Sequence, residues 1–138
     1  MDAPACAVGR LHPGGPWVGF APTLDDGYAL VVGTDNGTAR DAACVDDVVA
    51  LALAYFEDDL AEPPEELAAT HADIGALVRH AAEGATTMAA HAALMLAVDA
   101  IDDGLGADAV IERLSVASPA GADPGGHLSR RAAELLEG

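Results

Sequence analysis

Residues 28–56 read YALVVGTDNGTARDAACVDDVVALALAYF, and along them the chain passes from strand formers to a helical stripe. Tyr28-Ala29-Leu30-Val31-Val32 is the strongest strand in the sequence, dense in β-branched and aromatic side chains. Asn36-Gly37 predicts a tight turn, because both residues tolerate positive φ. Only Thr38 to Arg40 are then left for a returning strand before Asp41, a good N-cap, opens a helix that runs to about Phe56. Val45, Val48, Val49, Ala52, Tyr55 and Phe56 recur on it at the three-to-four-residue spacing of one buried stripe. Asp46 and Asp47 lie off that stripe near the helix start, where the dipole favours anions. Glu57, Asp58 and Asp59 lie at the other end, where the dipole opposes them. That triplet reads as a solvated surface or as a contact for something positive.

On the N-terminal side, Trp17 to Thr23 is a second run of strand formers, interrupted by Gly19 and Pro22, which predicts an edge strand or a bulge. Asp26-Gly27 supplies the hairpin turn between the two runs. A ribbon of two or three strands is marginal alone, so it must lie on helices or pair with a second copy. On the C-terminal side, Pro63-Pro64 ends the first helix, and Pro64 with Glu65 and Glu66 starts a short new element. Thr70 and Asp73 have capping-box spacing, and Ile74, Leu77, Val78, Ala81 and Ala82 mark one face of the helix behind them, with a possible kink at Gly84. From Thr86 to Val98 no face carries a charge, which predicts a helix buried all round. Asp102-Asp103-Gly104 closes it, Gly104 serving as the cap. Gly106 to Leu114 forms a further short helix with Val110, Ile111 and Leu114 inward, and Ser115 to Ala117 either extends it or forms a brief strand. Ser118 to Gly126 has linker composition, and Leu128, Ala132, Leu135 and Leu136 stripe a tail helix behind it.

The expected fold class is therefore α+β, mostly helical. A small N-terminal β-hairpin packs on four or five helices around a buried Ala-rich helix, taken as Ala85 to Val98. One domain spans 1–117, a flexible linker 118–126 and a C-terminal tail helix 127–138. With only five aromatic residues, the core must consist of Ala, Val and Leu packed at short distances. The thin helix and the orphan ribbon both invite a second subunit, so a homodimer is expected.

Charge narrows the function. The chain has 23 Asp and Glu against six Arg and no Lys, a formal charge of −17 on 138 residues. Such a surface keeps a protein soluble in a halophilic or GC-rich source, or steers it toward a basic partner. Direct binding to nucleic acid or to an anionic membrane is disfavoured, because phosphate contacts need Lys and Arg. Cys6 and Cys44 are too few and too far apart for a zinc site or a disulfide framework, and read as buried free thiols of a reducing compartment. Met1-Asp2-Ala3-Pro4 carries an acid where a signal peptide needs a base, and Gly84 to Val98 falls short of a membrane span, so a cytoplasmic chain is expected.

No pattern of catalytic residues emerges. Of the histidines His12, His71, His80, His91 and His127, the expected placement is one partly buried, hydrogen-bonded His91 and four at the surface. His80 and Glu83 are one helical turn apart and could share a ligand, whereas His91 lies about 16 Å farther along a continuous helix. The pairs Asp25-Asp26, Asp46-Asp47, Asp58-Asp59 and Asp102-Asp103 could hold Mg²⁺ with a substrate phosphate, but no cation for that phosphate lies nearby in sequence. None of Ser115, Ser118 and Ser129 sits in a nucleophile elbow, and neither cysteine has a base beside it. Arg79-His80-Ala81-Ala82-Glu83-Gly84-Ala85 resembles the phospho-accepting helix of histidine phosphotransfer domains, where a Gly follows the His four residues later. In that family a Lys usually precedes the Gly, and here Glu83 stands in its place. The resemblance covers about a dozen residues and implies His80 as the acceptor.

The reading that results is a non-catalytic protein that meets a basic partner through Glu57, Asp58, Asp59, Asp46 and Asp47, in an inhibitor, immunity-type or nucleic-acid-mimic role. No cofactor and no metal are expected. The alternative is a small enzyme or ligand-binding domain with a helical pocket near His80, Glu83 and His91.

Overall fold

The computed structural model describes residues 5–23, 27–34, 37–57, 60–117 and 124–137. The strand formers at its N-terminal end build a four-stranded antiparallel meander in the order β1 (Cys6–Arg10), β2 (Trp17–Pro22), β3 (Tyr28–Thr34) and β4 (Gly37–Ala42). The helices follow as α1 (Val45–Glu57), α2 (His71–Glu83), α3 (Met88–Asp102), α4 (Ala107–Ala117) and α5 (Pro124–Glu137), with a 3-10 turn at Glu65–Leu67 between α1 and α2. The α+β, mostly helical class holds. The sheet is larger than expected, because β1 gives no sequence signal and the short return at Thr38 to Arg40 extends over all of Gly37–Ala42.

β2 is an inner strand rather than an edge, paired to β1 on one side and to β3 on the other. The irregularity falls in β1, where the register shifts between Ala7 and Gly9. Gly19 lies opposite Ala7, and any side chain there would run into the Cys6 carbonyl, which is why the inner strand carries a glycine. β4 runs to Ala42, so Asp41 is a strand residue and not a helix cap. Asp26 and Asn36, on which the two hairpin turns were read, lie outside the described residues, as do the pair Asp25-Asp26 and residues 118–123 of the expected linker.

Alternation along the strands separates two faces. Val18, Phe20, Leu30 and Val32 face the helices and belong to the main core. Ala7, Ala21 and Val31 form a second, smaller cluster on the other face under Trp17, whose indole lies across Gly33 at a place any side chain would fill. The outer edge of β1 is occupied by the chain between α1 and α2. Arg10 and Ala61 exchange two backbone hydrogen bonds of 2.9 Å, and the Ala69 N–H donates to the Ala7 carbonyl at 2.8 Å. The ribbon is thus neither orphaned nor dependent on a second subunit.

The buried Ala-rich helix is α1, not the Ala85–Val98 helix. Every residue from Asp47 to Ala54 is buried, because VVALALA lies between β1, α2, α4 and α5. α3 buries only one face, through Ala93, Leu94, Ala97, Val98, Ala100 and Ile101, and leaves Met88 90% and Leu96 53% exposed. Its lack of charge made it cheap to bury without requiring burial, and alanine is equally at home on a wet helix face.

α2 matches its sequence signals closely. Asp73 N–H donates to Thr70 Oγ1 at 3.2 Å while Thr70 N–H donates to Asp73 Oδ2 at 2.9 Å, and the whole apolar stripe is buried. Gly84 ends this helix rather than kinking it, so α2 and α3 are separate elements and His80 and His91 are not on one axis. Residues 115–117 extend α4, while α5 opens at Pro124 and buries Leu128 and Ala132 but leaves Leu136 46% exposed. Among the described residues no helix is long and apolar enough to cross a membrane.

Candidate functional site

The 3-10 segment and its flanks form a loop that leaves α1 at Glu57 and returns to α2 at His71, and its two ends meet. The Tyr55 hydroxyl and His71 Nδ1 hydrogen-bond at 2.9 Å. The Tyr55, Phe56 and His71 rings pack edge to face, with centroids 4.9 to 5.5 Å apart. Tyr55 and Phe56 are half-buried, and His71 is exposed. Glu57, Glu62, Glu65 and Glu66 are exposed around this aromatic cluster and along the loop, which the Arg10–Ala61 and Ala7–Ala69 bonds pin to the sheet edge. Asp58 and Asp59, expected beside Glu57, lie outside the described residues.

The electrostatics at this end of α1 point one way. The last turn of α1 contains no base, so the negative end of the dipole faces the same acids. Burial, followed by the charge of Asp73, pushes the Tyr55 phenol up from its ordinary value, which keeps it neutral. Most guanidinium groups are committed elsewhere. Arg10 donates to the Gly15 carbonyl at 2.8 Å, Arg79 pairs with Asp102 at 3.0 Å, Arg113 donates to the Ala109 carbonyl at 3.1 Å, and Arg131 serves three carboxylates. Sequence reasoning missed Tyr55, Phe56 and His71 here. The first two were assigned to the buried stripe, and nothing local links them to a histidine fifteen residues on.

Asp46 and Asp47, paired in sequence, separate in space. Asp46 is exposed, but Asp47 is 0% exposed and cannot belong to a partner surface. Because the helix starts at Val45, Asp47 falls at its third position, and Oδ2 accepts the Cys44 N–H at 3.2 Å. Asp47 Oδ1 accepts from His127 Nε2 at 2.6 Å and from Arg131 Nε at 3.2 Å, both on α5. Arg131 reaches on to Asp41 Oδ2 of β4 at 3.4 Å. Burial alone would raise the Asp47 carboxyl. The hydrogen bonds from His127 and Cys44 and the charge of Arg131 outweigh it and hold the group below the usual carboxylate range. This cluster fastens α5 to α1 and to the sheet.

His80 is half-buried, its ring 5.2 Å from Tyr28 in an edge-to-face contact, on the wall of a cavity of about 310 Å³ with Cys44, Val45 and Gly84. An adjoining cavity of about 360 Å³ shares Cys44 and Val45 and adds Asp46 and Thr86. Glu83 and His91 line neither: Glu83 is exposed, and His91 Nδ1 donates to the Ala82 carbonyl at 2.7 Å. His91 makes its expected hydrogen bond on an exposed residue, whereas His80 and His127 are the half-buried histidines. Cys44, expected to be buried, is exposed. Partial desolvation, with the Asp47 carboxylate beside it, raises the thiol above its ordinary value despite opposing backbone hydrogen bonds, so it stays protonated at neutral pH. Among the described residues no three His, Cys, Asp or Glu side chains are grouped to hold a metal ion. No protein-family model, curated protein or solved structure matches the chain.

Proposed function

We propose that this chain is an acidic interaction protein that binds a basic partner at the α1–α2 loop, in an inhibitor, immunity-type or nucleic-acid-mimic role. One observation carries the reading: a half-exposed aromatic cluster, Tyr55, Phe56 and His71, sits at the negative end of α1 inside a pinned loop bearing Glu57, Glu62, Glu65 and Glu66. Aromatic rings supply the desolvated anchor and the face on which a guanidinium or ammonium stacks, while the carboxylates steer the encounter. Asp46 lies at the opposite end of α1 and takes no part, and Asp47 is internal. A homodimer belongs to the same reading, because α3 keeps an uncharged face outward from Met88 to Leu96.

The test is affinity capture from source lysate at low and moderate NaCl, with wild type beside a variant carrying Gln at positions 57, 62, 65 and 66. A basic protein retained by wild type at low salt, released by moderate salt and lost with the variant supports the proposal. Equal capture by both proteins refutes it.

A second reading, a ligand-binding domain, rests on the adjoining cavities that share Cys44 and Val45. Uptake of an uncharged ligand there would be insensitive to salt, which separates it from the first.

A further inference from the structure

Helices α3 and α4, joined by the short turn 103–106, pack side by side and leave a groove of about 360 Å³ between them. Ala89, Ala92 and Ala93 line its α3 side with Leu96, and Glu112, Arg113 and Val116 line its α4 side. Leu96 is 53% exposed and Val116 68%, and Met88 at the head of α3 is 90% exposed. The outward row Met88, Ala89, Ala92 and Leu96 carries no charge before Asp99, on a chain whose formal charge is −17. Isolated apolar residues at a surface are ordinary. A continuous neutral row on so acidic a molecule is not.

We propose that this face receives the same face of a second copy, a refinement that rests on the homodimer reading above. The charge pair in the groove fits a second copy. Two chains of −17 repel each other, a cost to which the groove lining, one acid and one base, adds no net charge. The charges in the groove are one acid and one base at adjacent positions, Glu112 and Arg113. A two-fold axis through the groove sets Arg113 of each copy against Glu112 of the other, the self-complementarity that an isologous interface requires. The Arg113 guanidinium is already laid along α4 by its bond to the Ala109 carbonyl, with further N–H groups left to donate. The alanines let helix axes come within about 8 Å, so that four helices close into a bundle.

The size of the face fixes the strength. At 1.5 Å per residue α3 is about 22 Å long, and two adjacent helices are about 20 Å across, giving about 400 Å² in projection on each copy. The two copies together cover about 800 Å² in projection, below the roughly 1,200 Å² of a stable complex, so the dimer is weak and transient rather than permanent.

Sedimentation velocity over a concentration series, at low and moderate NaCl, tests this on the full chain. Wild type is expected to associate reversibly, and more strongly as salt screens the repulsion, opposite to capture of a basic partner. Leu96→Glu should weaken association by more than about tenfold. Leu105→Glu, at an equally exposed leucine in the turn between the helices, should leave it unchanged, and circular dichroism verifies that both variants fold. Glu112→Arg and Arg113→Glu should each weaken the dimer, and the two together should restore it. A wild type that is monomeric throughout overturns the homodimer reading itself. A dimer that survives Leu96→Glu, or whose charge exchange fails to restore association, leaves the homodimer standing and overturns the assignment of this face.

Discussion

Replacing Asp47 by Ala is the sharpest test of how α5 is held. The substitution removes three hydrogen bonds to a buried carboxylate, from His127 at 2.6 Å, from Arg131 at 3.2 Å and from the Cys44 N–H at 3.2 Å. Bonds to a charged group contribute about 1.5–3 kcal/mol each, against a desolvation cost of several kcal/mol for the ion they surround. Two offsets reduce the loss. The His127 and Arg131 side chains are 26% and 21% exposed and can rehydrate, and Arg131 keeps Asp41 and Glu134. The net loss is about 3 kcal/mol, which at a urea m-value of about 1.5 kcal/mol per molar moves the midpoint by about 2 M. Asp46→Ala, one residue away and exposed, should move it by less than about 0.3 M. The same pair of variants has a pH signature. The folded Asp47 carboxyl lies below its ordinary value, so its stabilisation is complete above that value and is lost as pH falls through the lower folded one. Wild type should therefore lose more stability than Asp47→Ala between about pH 5 and the acid limit of folding. Equal urea midpoints for the two Ala variants, or parallel acid profiles for wild type and Asp47→Ala, would refute a stabilising role for the cluster.

Two further outcomes follow from the fold. With −17 spread over the chain and most guanidiniums engaged internally, the melting temperature should rise from low to moderate NaCl, as thermal unfolding followed by circular dichroism will register; a flat response would mean that the carboxylates are compensated within the fold. Gly33→Ala drives a methyl group into the Trp17 indole and should cost about 1–3 kcal/mol with a shift in tryptophan emission; unchanged stability and emission would show that the indole does not lie there.

The legible parts of the fold are those with local causes. The Thr70–Asp73 capping box and the stripe behind it are complete within fourteen consecutive residues, and α2 forms as read. Tyr28 to Val32 carries its strand preference in its own side chains, and β3 contains it. β1 and β4 had no such signal: CAVGR is short and bulged, and GTARDA is a poor strand former held in place by its pairing to β3 and by α5. Burial was the harder quantity. α1 and α3 are both Ala-rich and free of charge over most of their length, and which one is enclosed depends on what α5 and the sheet cover. The site was legible only in part, for the same reason. Glu57 could be noticed because it opposes its helix dipole, but the ring cluster beside it and the burial of Asp47 arise from contacts across 15 to 84 residues of sequence.

The Asp47 cluster also dictates a sequence of events while the chain is made. Synthesis proceeds from the N-terminus, so the sheet and α1 are made well before His127 and Arg131 have been translated. During that interval the flank of α1 later covered by Leu128 and Ala132 faces water, and Asp47 has no partner from α5. Closure of this core joins residues eighty or more positions apart and so waits for α5, and until then α1 presents a sticky apolar flank to chaperones and to its neighbours on the polysome.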